Sequence, residues 1–473
     1  MSLEKYLDQI LDQNIISKLL SPNNDSFPLG DFTNYQEIPL GWTNNLSYKE
    51  PKEYKELKKF NKYIFIGMGG AISMARIASF INPKKIIYID SFDIKLIKSL
   101  KQEAKKSSTA VFICSKSNQT IETKLLENLI AVNKKEKFYI TDQILDIEET
   151  RQLNTPKNIG GRYSISTHLG ILPFYLAGFD LKKITNQINK ANKECKINDK
   201  NNHAILIAGM LYKNYIDNKN LISIYSKNQK DFIYDWLEQL ISESTGKEEK
   251  GLLPIKSLNF NPVIKFGNEN NFTDESAELF IEYNEKIFYT FQKLMYSISI
   301  FCSMINVQPF DQPNVESTKI RIQSILDKLN DKKENFHENS LIELYQLLEK
   351  DNSDIISFLI FSSNLDNNMK EKLVDQIKSF YGKDKKVIIF FGPSYLHSTG
   401  QLLKGSFKNI KNYVIYLHGN EDLNIPNSLY TLNTFVKNQG YSDHLEMKKN
   451  KRNSFYFETT YDEIIKKLKV KND

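Results

Sequence analysis

The stretch YIFIGMGG, residues 63–70, decides the fold: a short apolar run ends in glycines, and a helical pattern follows it. Similar apolar runs recur at Ile86–Asp90, Ala110–Cys114 and Phe138–Thr141, with helical stretches between them. Short apolar runs that alternate with helices are typical of parallel strands buried on both faces. The sequence therefore predicts a doubly wound α/β domain that begins near residue 59.

The same alternation resumes after residue 200, where four more strand candidates are found at Leu221–Tyr225, Pro262–Phe266, Val387–Phe391 and Tyr413–Leu417. We therefore predict an α/β protein with two doubly wound α-β-α sandwich domains and mainly parallel sheets. The predicted parts are a helical segment (1–58), a first domain (59–195) and a second domain (196–473). The second domain would include a helical insertion at 320–380 and a C-terminal extension.

Composition narrows the class of protein. The chain has 473 residues, 40% of them hydrophobic, and a formal charge of +7 from 64 basic and 57 acidic side chains. This is enough apolar material for large cores, and the weak charge bias does not favour a nucleic-acid partner. Three widely separated cysteines provide no disulfide framework or metal site. We predict a soluble, cytoplasmic protein without a signal peptide.

One long apolar stretch, Ile287–Val307, raises the question of a membrane span. Gln292, Lys293 and several serines interrupt it, so a buried core helix is the better interpretation. We therefore predict no membrane partner.

The third strand runs into the hydroxyl-rich turn Ser115–Thr123. A turn between a strand end and a helix start offers free backbone N–H groups and the positive end of the helix dipole to a phosphate. Ser115, Ser117 and Thr120 would add hydroxyl donors, and Lys116 a charge. An ordinary helix-capping turn remains the alternative.

Two further segments carry candidate charges. Gly160-Gly161 precedes Arg162, a cation that could stabilise a developing oxyanion or hold a surface turn together. Glu243 lies near the end of a helix that Gly246 closes. The negative end of the helix dipole disfavours the charged carboxylate there, a property that suits a general base, although a solvated glutamate is the alternative.

The last two segments are Phe310–Lys319, a turn and helix start that contains Gln312 and ends at Lys319, and the loop around His397. His397 follows a strand, which makes it an acid or base candidate. The histidines show no metal-ligand spacing, so we predict neither a metal nor a cofactor.

Together these segments resemble the glucose-6-phosphate isomerases, which carry two sugar-isomerase (SIS) domains. Gly67–Gly70 is similar to the family's first glycine-rich loop and Ser115–Thr123 to its phosphate loop. Gly160–Ser164 is similar to its Gly-Gly-Arg-Phe-Ser element, Glu243–Lys247 to Glu-Ser-x-Gly-Lys, and Phe310–Lys319 to Phe-Asp-Gln-x-x-Val-Glu-x-x-Lys. The segment 392–402 resembles the isomerase modules of transaldolase–isomerase fusions and their standalone relatives.

The resemblance implies an aldose–ketose isomerase of glycolysis and gluconeogenesis that interconverts glucose 6-phosphate and fructose 6-phosphate, as a homodimer. It implies that Glu243 moves the proton between C2 and C1, Arg162 stabilises the cis-enediol, and His397 with Lys319 opens the ring. The substrate- and phosphate-binding residues that it implies are Gly69, Gly70, Ser115, Lys116, Ser117, Thr120 and Gln312.

Two alternatives stay open. One is an isomerase that also accepts mannose 6-phosphate, because smaller dual-specificity relatives share the Gly-Gly-Arg element. The other is a non-catalytic sugar-phosphate sensor, because a fold does not fix a function.

Overall fold

In the structure, a computed structural model, helices alternate with the strands of parallel sheets. The described residues are 2–21, 37–47, 49–131, 134–226, 232–255, 263–267, 278–282, 286–313, 341–349, 353–382, 385–407 and 409–469. The chain divides into two compact units. The first comprises Met1–Ile89, Ser107–Thr123 and Lys135–Gln312, and the second Asp90–Lys106, Lys124–Lys134 and Pro313–Asp473.

The α-helices of the described residues are α1 (Leu3–Asp12), α2 (Ile15–Leu20), α3 (Lys52–Leu57), α4 (Ser73–Ile81), α5 (Ile94–Ala104), α6 (Ile121–Ile130), α7 (His168–Ala177), α8 (Leu181–Cys195), α9 (His203–Ile216), α10 (Phe232–Thr245), α11 (Ile287–Met304), α12 (Leu341–Glu349), α13 (Asn367–Tyr381), α14 (Gly400–Gly405), α15 (Leu432–Lys449) and α16 (Tyr461–Lys469). The strands are β1 (Lys62–Gly67), β2 (Ile86–Ile89), β3 (Thr109–Cys114), β4 (Lys137–Thr141), β5 (Gln152–Asn154), β6 (Leu221–Ser226), β7 (Leu253–Ile255), β8 (Val263–Gly267), β9 (Glu278–Glu282), β10 (Ile355–Phe361), β11 (Lys386–Phe391), β12 (Ile410–His418) and β13 (Asn453–Thr460).

The first sheet has the order β2-β1-β3-β4-β5, and all its strands are parallel. Every residue of β3 is buried, as expected for a central strand covered on both faces. The strand order reverses between β1 and β3, and open α/β sheets bind ligands at such a point, beyond the carboxyl ends of the strands. Gly67 pairs with Cys114 across these two strands, so the loops that follow them start side by side.

Two further parallel sheets repeat this order on a smaller scale, β7-β6-β8-β9 in the first unit and β11-β10-β12-β13 in the second. The predicted α/β class with mainly parallel sheets is thus confirmed. The strand candidates after residue 200 do not share one sheet, however: β6 and β8 lie on one, and β11 and β12 on another. The domain limits drawn from the sequence stay a prediction.

The prediction of helix throughout 320–380 is wrong at Ile355–Phe361, which forms β10, the strand between β11 and β12. All of its residues are buried, and a short, fully apolar run cannot be assigned to helix or strand from its periodicity. Helices α12 and α13 flank β10 within the predicted helical range. The helical face predicted for 320–329 lies outside the described residues.

Helix α11 forms the centre of the first unit's core. Residues from 287 to 303 are buried nearly without exception, and Gln292 within them bonds to the Trp42 carbonyl oxygen at 2.8 Å and to Asn192 at 2.6 Å. The Gln292 side chain is tolerated in this core because its amide nitrogen is hydrogen-bonded. The prediction of a buried core helix is confirmed. In the described part of the chain, no helix has both the length and the apolarity to cross a membrane.

Helix α5 follows β2 in the chain but belongs to the second unit. Asp93 caps its first turn by accepting hydrogen bonds from two backbone N–H groups. The Ile94 N–H donates to the Ser363 carbonyl oxygen at 2.9 Å, directly after β10, and Lys95 pairs with Asp366 at 2.9 Å. The second unit is therefore assembled from segments that are distant in the sequence.

Candidate active site

Two glycine loops touch each other through their backbones. Gly69 and Gly70 follow β1, and Gly69 adopts a left-handed φ of 53°. A Cβ atom on Gly70 would lie 2.3 Å from the carbonyl carbon of Gly161, so only glycine fits at this contact. The backbone that approaches Gly70 so closely is that of another loop of the chain.

Arg162 lies directly beyond this contact, in the 3-10 turn Gly161–Ser166. Its side chain is 4% exposed, which excludes the alternative of a surface turn. The Nε atom donates to Ser244 Oγ at 3.0 Å and Nη1 donates to Glu243 Oε2 at 3.2 Å. The Nη2 atom donates to the carbonyl oxygens of Pro309 and of Asp311, the latter at 2.9 Å. One guanidinium therefore joins the end of α10 to residues 309–311.

Glu243 lies in the last turn of α10 and is buried, so the alternative of a solvated glutamate is wrong. Its Oε2 accepts from Arg162 and from Gln239 Nε2, the latter also at 3.2 Å. Ser73 Oγ lies 3.3 Å from Gln239 Oε1 and 2.9 Å from the carbonyl oxygen of Gly69. The carboxylate is thus connected through two side chains to the first glycine loop.

Gln239 is a site residue that the sequence reasoning missed. It precedes Glu243 by one helical turn, and residues four apart lie on the same helix face. That spacing was the available signal.

Lys247 was also given no role, although it belongs to the Glu243–Lys247 motif. Its buried Nζ donates to Asp311 Oδ1 at 2.6 Å, to the Asp311 carbonyl oxygen at 3.1 Å, and to the Gln308 carbonyl oxygen. The pKa of Lys247 is lowered to about 8, first by burial and then by the nearby charge of Arg162, whereas Asp311 opposes the shift.

The hydroxyl-rich turn lies between β3 and the first turn of α6, as predicted. Ser115 is buried and its Oγ donates to Thr120 Oγ1 at 3.3 Å, whereas Ser117 is exposed. Asn118 adopts a left-handed φ of 51°. The turn thus presents hydroxyl groups at a helix N-terminus beside the first glycine loop, an arrangement suited to a phosphate.

Lys116 in this turn is already paired. Its Nζ donates to Asp142 Oδ2 at 2.6 Å and to the Lys157 carbonyl oxygen at 3.0 Å. Asp142 follows β4, and the Thr141 hydroxyl donates to the Lys116 carbonyl oxygen. A phosphate at this turn would meet an ammonium group whose charge is partly balanced.

The remaining predicted site residues are Gln312, His397 and Lys319. Gln312 is half-buried and follows Asp311, which contacts both Arg162 and Lys247. His397 is buried at the end of the 3-10 turn Ser394–His397 after β11, in the second unit, and its part in the site stays a prediction. Lys319 lies outside the described residues.

Among the residues that the structure describes, no three His, Cys, Asp or Glu side chains come together as a group able to hold a metal ion. The three cysteines are free and buried.

Comparison with known proteins finds several relatives that are named glucose-6-phosphate isomerase. The glucose-6-phosphate isomerase of Methanocaldococcus jannaschii is 29% identical over 225 residues, which cover 44% of this chain and 56% of that protein. The glucose-6-phosphate isomerase of Staphylococcus haemolyticus is 26% identical over 400 residues, covering 63% of this chain and 90% of that protein. No family model matches the chain.

The fold has a solved counterpart in the glucose-6-phosphate isomerase of Chlamydia trachomatis, with a TM-score of 0.57 and 14% identity over 73% of this chain and 89% of that one. The matched region spans between 56% and 65% of the length of the first three curated relatives. The resemblance drawn from the sequence motifs is confirmed: this chain is similar in sequence to several glucose-6-phosphate isomerases and shares a fold with one of them.

Proposed function

We propose that this protein is a glucose-6-phosphate isomerase, which interconverts glucose 6-phosphate and fructose 6-phosphate. The observation that carries the proposal is the buried Glu243 carboxylate, held by Arg162 and Gln239 beside the two glycine loops. A base fixed in one position can take a proton from C2 and return it to C1 on the same face of the substrate. The relatives that carry this name support the same reaction.

The contacts of Arg162 define what it contributes. An arginine has five N–H donors, and four of them have partners within the described residues. Arg162 therefore acts mainly as a fixed positive charge beside Glu243. The cis-enediol carries negative charge, and a preorganised cation in a buried site stabilises such charge without rearranging.

We propose that the substrate binds beyond the carboxyl ends of β1 and β3 in the first sheet. The phosphate would lie at the turn after β3, on Ser115, Ser117 and Thr120, with Lys116 nearby. The sugar would extend toward Glu243 along the glycine loop. His397, with Lys319, would open the ring by moving a proton between the ring oxygen and the anomeric hydroxyl.

The proposal also includes an oligomeric state and a cellular location. We propose a homodimer, because the resembled family forms dimers, and a cytoplasmic location, because the three widely separated cysteines provide no disulfide framework. Sedimentation of the purified protein would test the first and fractionation of cells the second.

A coupled assay tests the function. Purified protein is mixed with fructose 6-phosphate, glucose-6-phosphate dehydrogenase and NADP, and NADPH formation is followed. We expect rapid formation by the wild type and a kcat lower by about 100- to 10,000-fold in Glu243→Gln, because the amide cannot accept the proton. Glu238→Gln is the matched control, since Glu238 is a buried glutamate of the same helix that faces Arg76.

The possible outcomes of this assay distinguish the isomerase from the two alternatives. An inactive wild type that still binds the sugar phosphate in calorimetry would replace the isomerase by a sensor. Full activity of Glu243→Gln would keep the reaction but remove Glu243 from its role. Comparable rates with mannose 6-phosphate would indicate the dual-specificity isomerase.

A further inference from the structure

Residues 308–311 are held by two buried cations at once. Lys247 Nζ donates to Gln308 and to both oxygen types of Asp311, and Arg162 Nη2 donates to Pro309 and Asp311. The Asp311 carbonyl oxygen accepts from both cations, at 3.1 Å from Lys247 and 2.9 Å from Arg162. This short segment leads directly into Gln312.

We propose that Lys247 is a positioning residue, which fixes residues 308–311 and through them holds the Arg162 guanidinium against Glu243. The inference rests on the proposed function, in which Arg162 and Glu243 do the chemistry. It assigns Lys247 no contact with the substrate.

The connection runs through a short series of contacts. Lys247 fixes Asp311, Asp311 fixes one Nη atom of Arg162, and the other Nη atom donates to Glu243. Lys247 follows Glu243 by four residues, so the lysine and the base leave α10 at the same end. Movement of residues 308–311 would therefore change the orientation of the guanidinium relative to the base, and a small misplacement is enough to slow catalysis.

Burying the Lys247 ammonium group costs free energy, and this cost supports a functional role for the residue. Its side chain is 5% exposed, and burial of an ammonium group is unfavourable unless partners compensate. The charged and titratable groups that face it are Arg162, Asp311 and the Cys302 thiol. Asp311 and, to a smaller extent, Cys302 favour the ammonium form, whereas burial and Arg162 oppose it. The lysine therefore loses its proton at a lower pH than usual, with a pKa of about 8.

Loss of that proton weakens the hold on Asp311, and this gives a test with the wild-type protein. Hydrogen exchange at the amides of 308–312 is measured from pH 7 to 9 and corrected for the intrinsic rate. The Phe310 N–H, which donates to Gln308 Oε1 at 2.6 Å, is the probe. We expect protection to fall through pH 8. Constant protection over this range would overturn the proposal.

Variants provide the functional test. In Lys247→Met we expect kcat to fall by about 100-fold, with little change of KM, because the base and its cation are misaligned. In Lys247→Arg the charge persists at high pH, so the alkaline limb of the pH–rate profile should shift to higher pH. The matched control is Lys250→Met, because Lys250 Nζ donates to the nearby Asn306 carbonyl oxygen at 3.2 Å but belongs to neither motif.

Failure of the proposed function and failure of the positioning role of Lys247 would give different results. Inactivity of the wild type toward fructose 6-phosphate would overturn the proposed function and leave the exchange test in force. A folded Lys247→Met with a kcat close to that of the wild type would overturn the positioning role alone. An unchanged alkaline limb in an active Lys247→Arg would do the same.

Discussion

Among the described residues, each compact unit has one ion pair in which both side chains are buried, and the two pairs are built differently. In the first unit Arg162 meets Glu243 at 3.2 Å, with side chains 4% and 3% exposed. In the second unit Lys404 of α14 meets Asp443 of α15 at 2.5 Å, and both side chains are fully buried. Both pairs carry a desolvation cost that a surface ion pair does not.

The partners of the two cations differ. Arg162 also donates to Ser244 Oγ and to two backbone carbonyl oxygens, so its charge is spread over several acceptors. Within the described residues the Lys404 ammonium has one such partner, Asp443, which also accepts from the Tyr395 hydroxyl. Burial, followed by the charge of Asp443, raises the pKa of Tyr395 and keeps it a donor.

This difference indicates different uses. The first pair can lose the charge of its carboxylate and still satisfy the cation, which suits a group that takes and returns a proton. The second pair cannot, because one carboxylate holds both the lysine and the turn that carries His397, two residues after Tyr395. We therefore propose that the first pair serves the chemistry and that the second stabilises the local structure around His397.

The largest expected effect is on stability in the second pair. Asp443→Asn should lower the free energy of unfolding by about 3–5 kcal/mol, because it leaves the Lys404 ammonium buried without a counter-charge. Glu243→Gln should cost much less, because Arg162 retains its neutral acceptors. Urea unfolding of both variants and the wild type measures the two losses. Equal losses of unfolding free energy in the two variants would show that the two ion pairs do not differ in this way.

The next effect is on activity in the first pair. Arg162→Lys should lower kcat by about 100- to 1,000-fold, because one ammonium cannot reach Glu243, Ser244 and Asp311 together. Arg76→Lys is the control, since Arg76 pairs with Asp235 of the same helix α10 at 2.7 Å through one nitrogen. The coupled assay compares the two. If both variants lose activity equally, Arg162 has no special part in the chemistry.

The smallest effect is a pH dependence of stability from the buried cation Lys247. Its folded-state pKa of about 8 lies below the usual 10.5, so between these values the unfolded chain binds a proton that the folded one has lost. The free energy of unfolding should therefore rise with pH in that window, by up to about 1.4 kcal/mol per pH unit, while the activity falls.

Lys247→Met removes this contribution, so its stability should rise less steeply than that of the wild type between pH 8 and 10. Unfolding in urea at several pH values gives both slopes. Identical slopes would show that Lys247 keeps an ordinary proton affinity in the folded state.

The sequence predicted those features whose signal is local. Strands β1 and β3 are apolar because both of their faces are buried, and that pattern can be read from single runs. The short edge strands β5 and β7 escaped notice, and β10 was misassigned, since a fully apolar run lacks a distinguishing period.

The candidate site was predicted where a motif carried it and missed where only the fold brings groups together. Glu243 and Arg162 belong to recognisable motifs, and the structure places them in contact. The pairing of Lys116 with Asp142 joins the ends of two neighbouring strands, and no spacing rule indicates it. Lys247 stands within a motif, but its partners lie more than sixty residues away in the chain.

The membership of α5 in the second unit bears on how the chain can be divided. Expression of residues 1–312 would produce α5 without Ser363 and Asp366, and expression of 313–473 would produce a β10 loop without the helix that bonds to it. We therefore expect neither fragment to fold as the same residues do in the whole chain. A single cut in the chain cannot separate the two units.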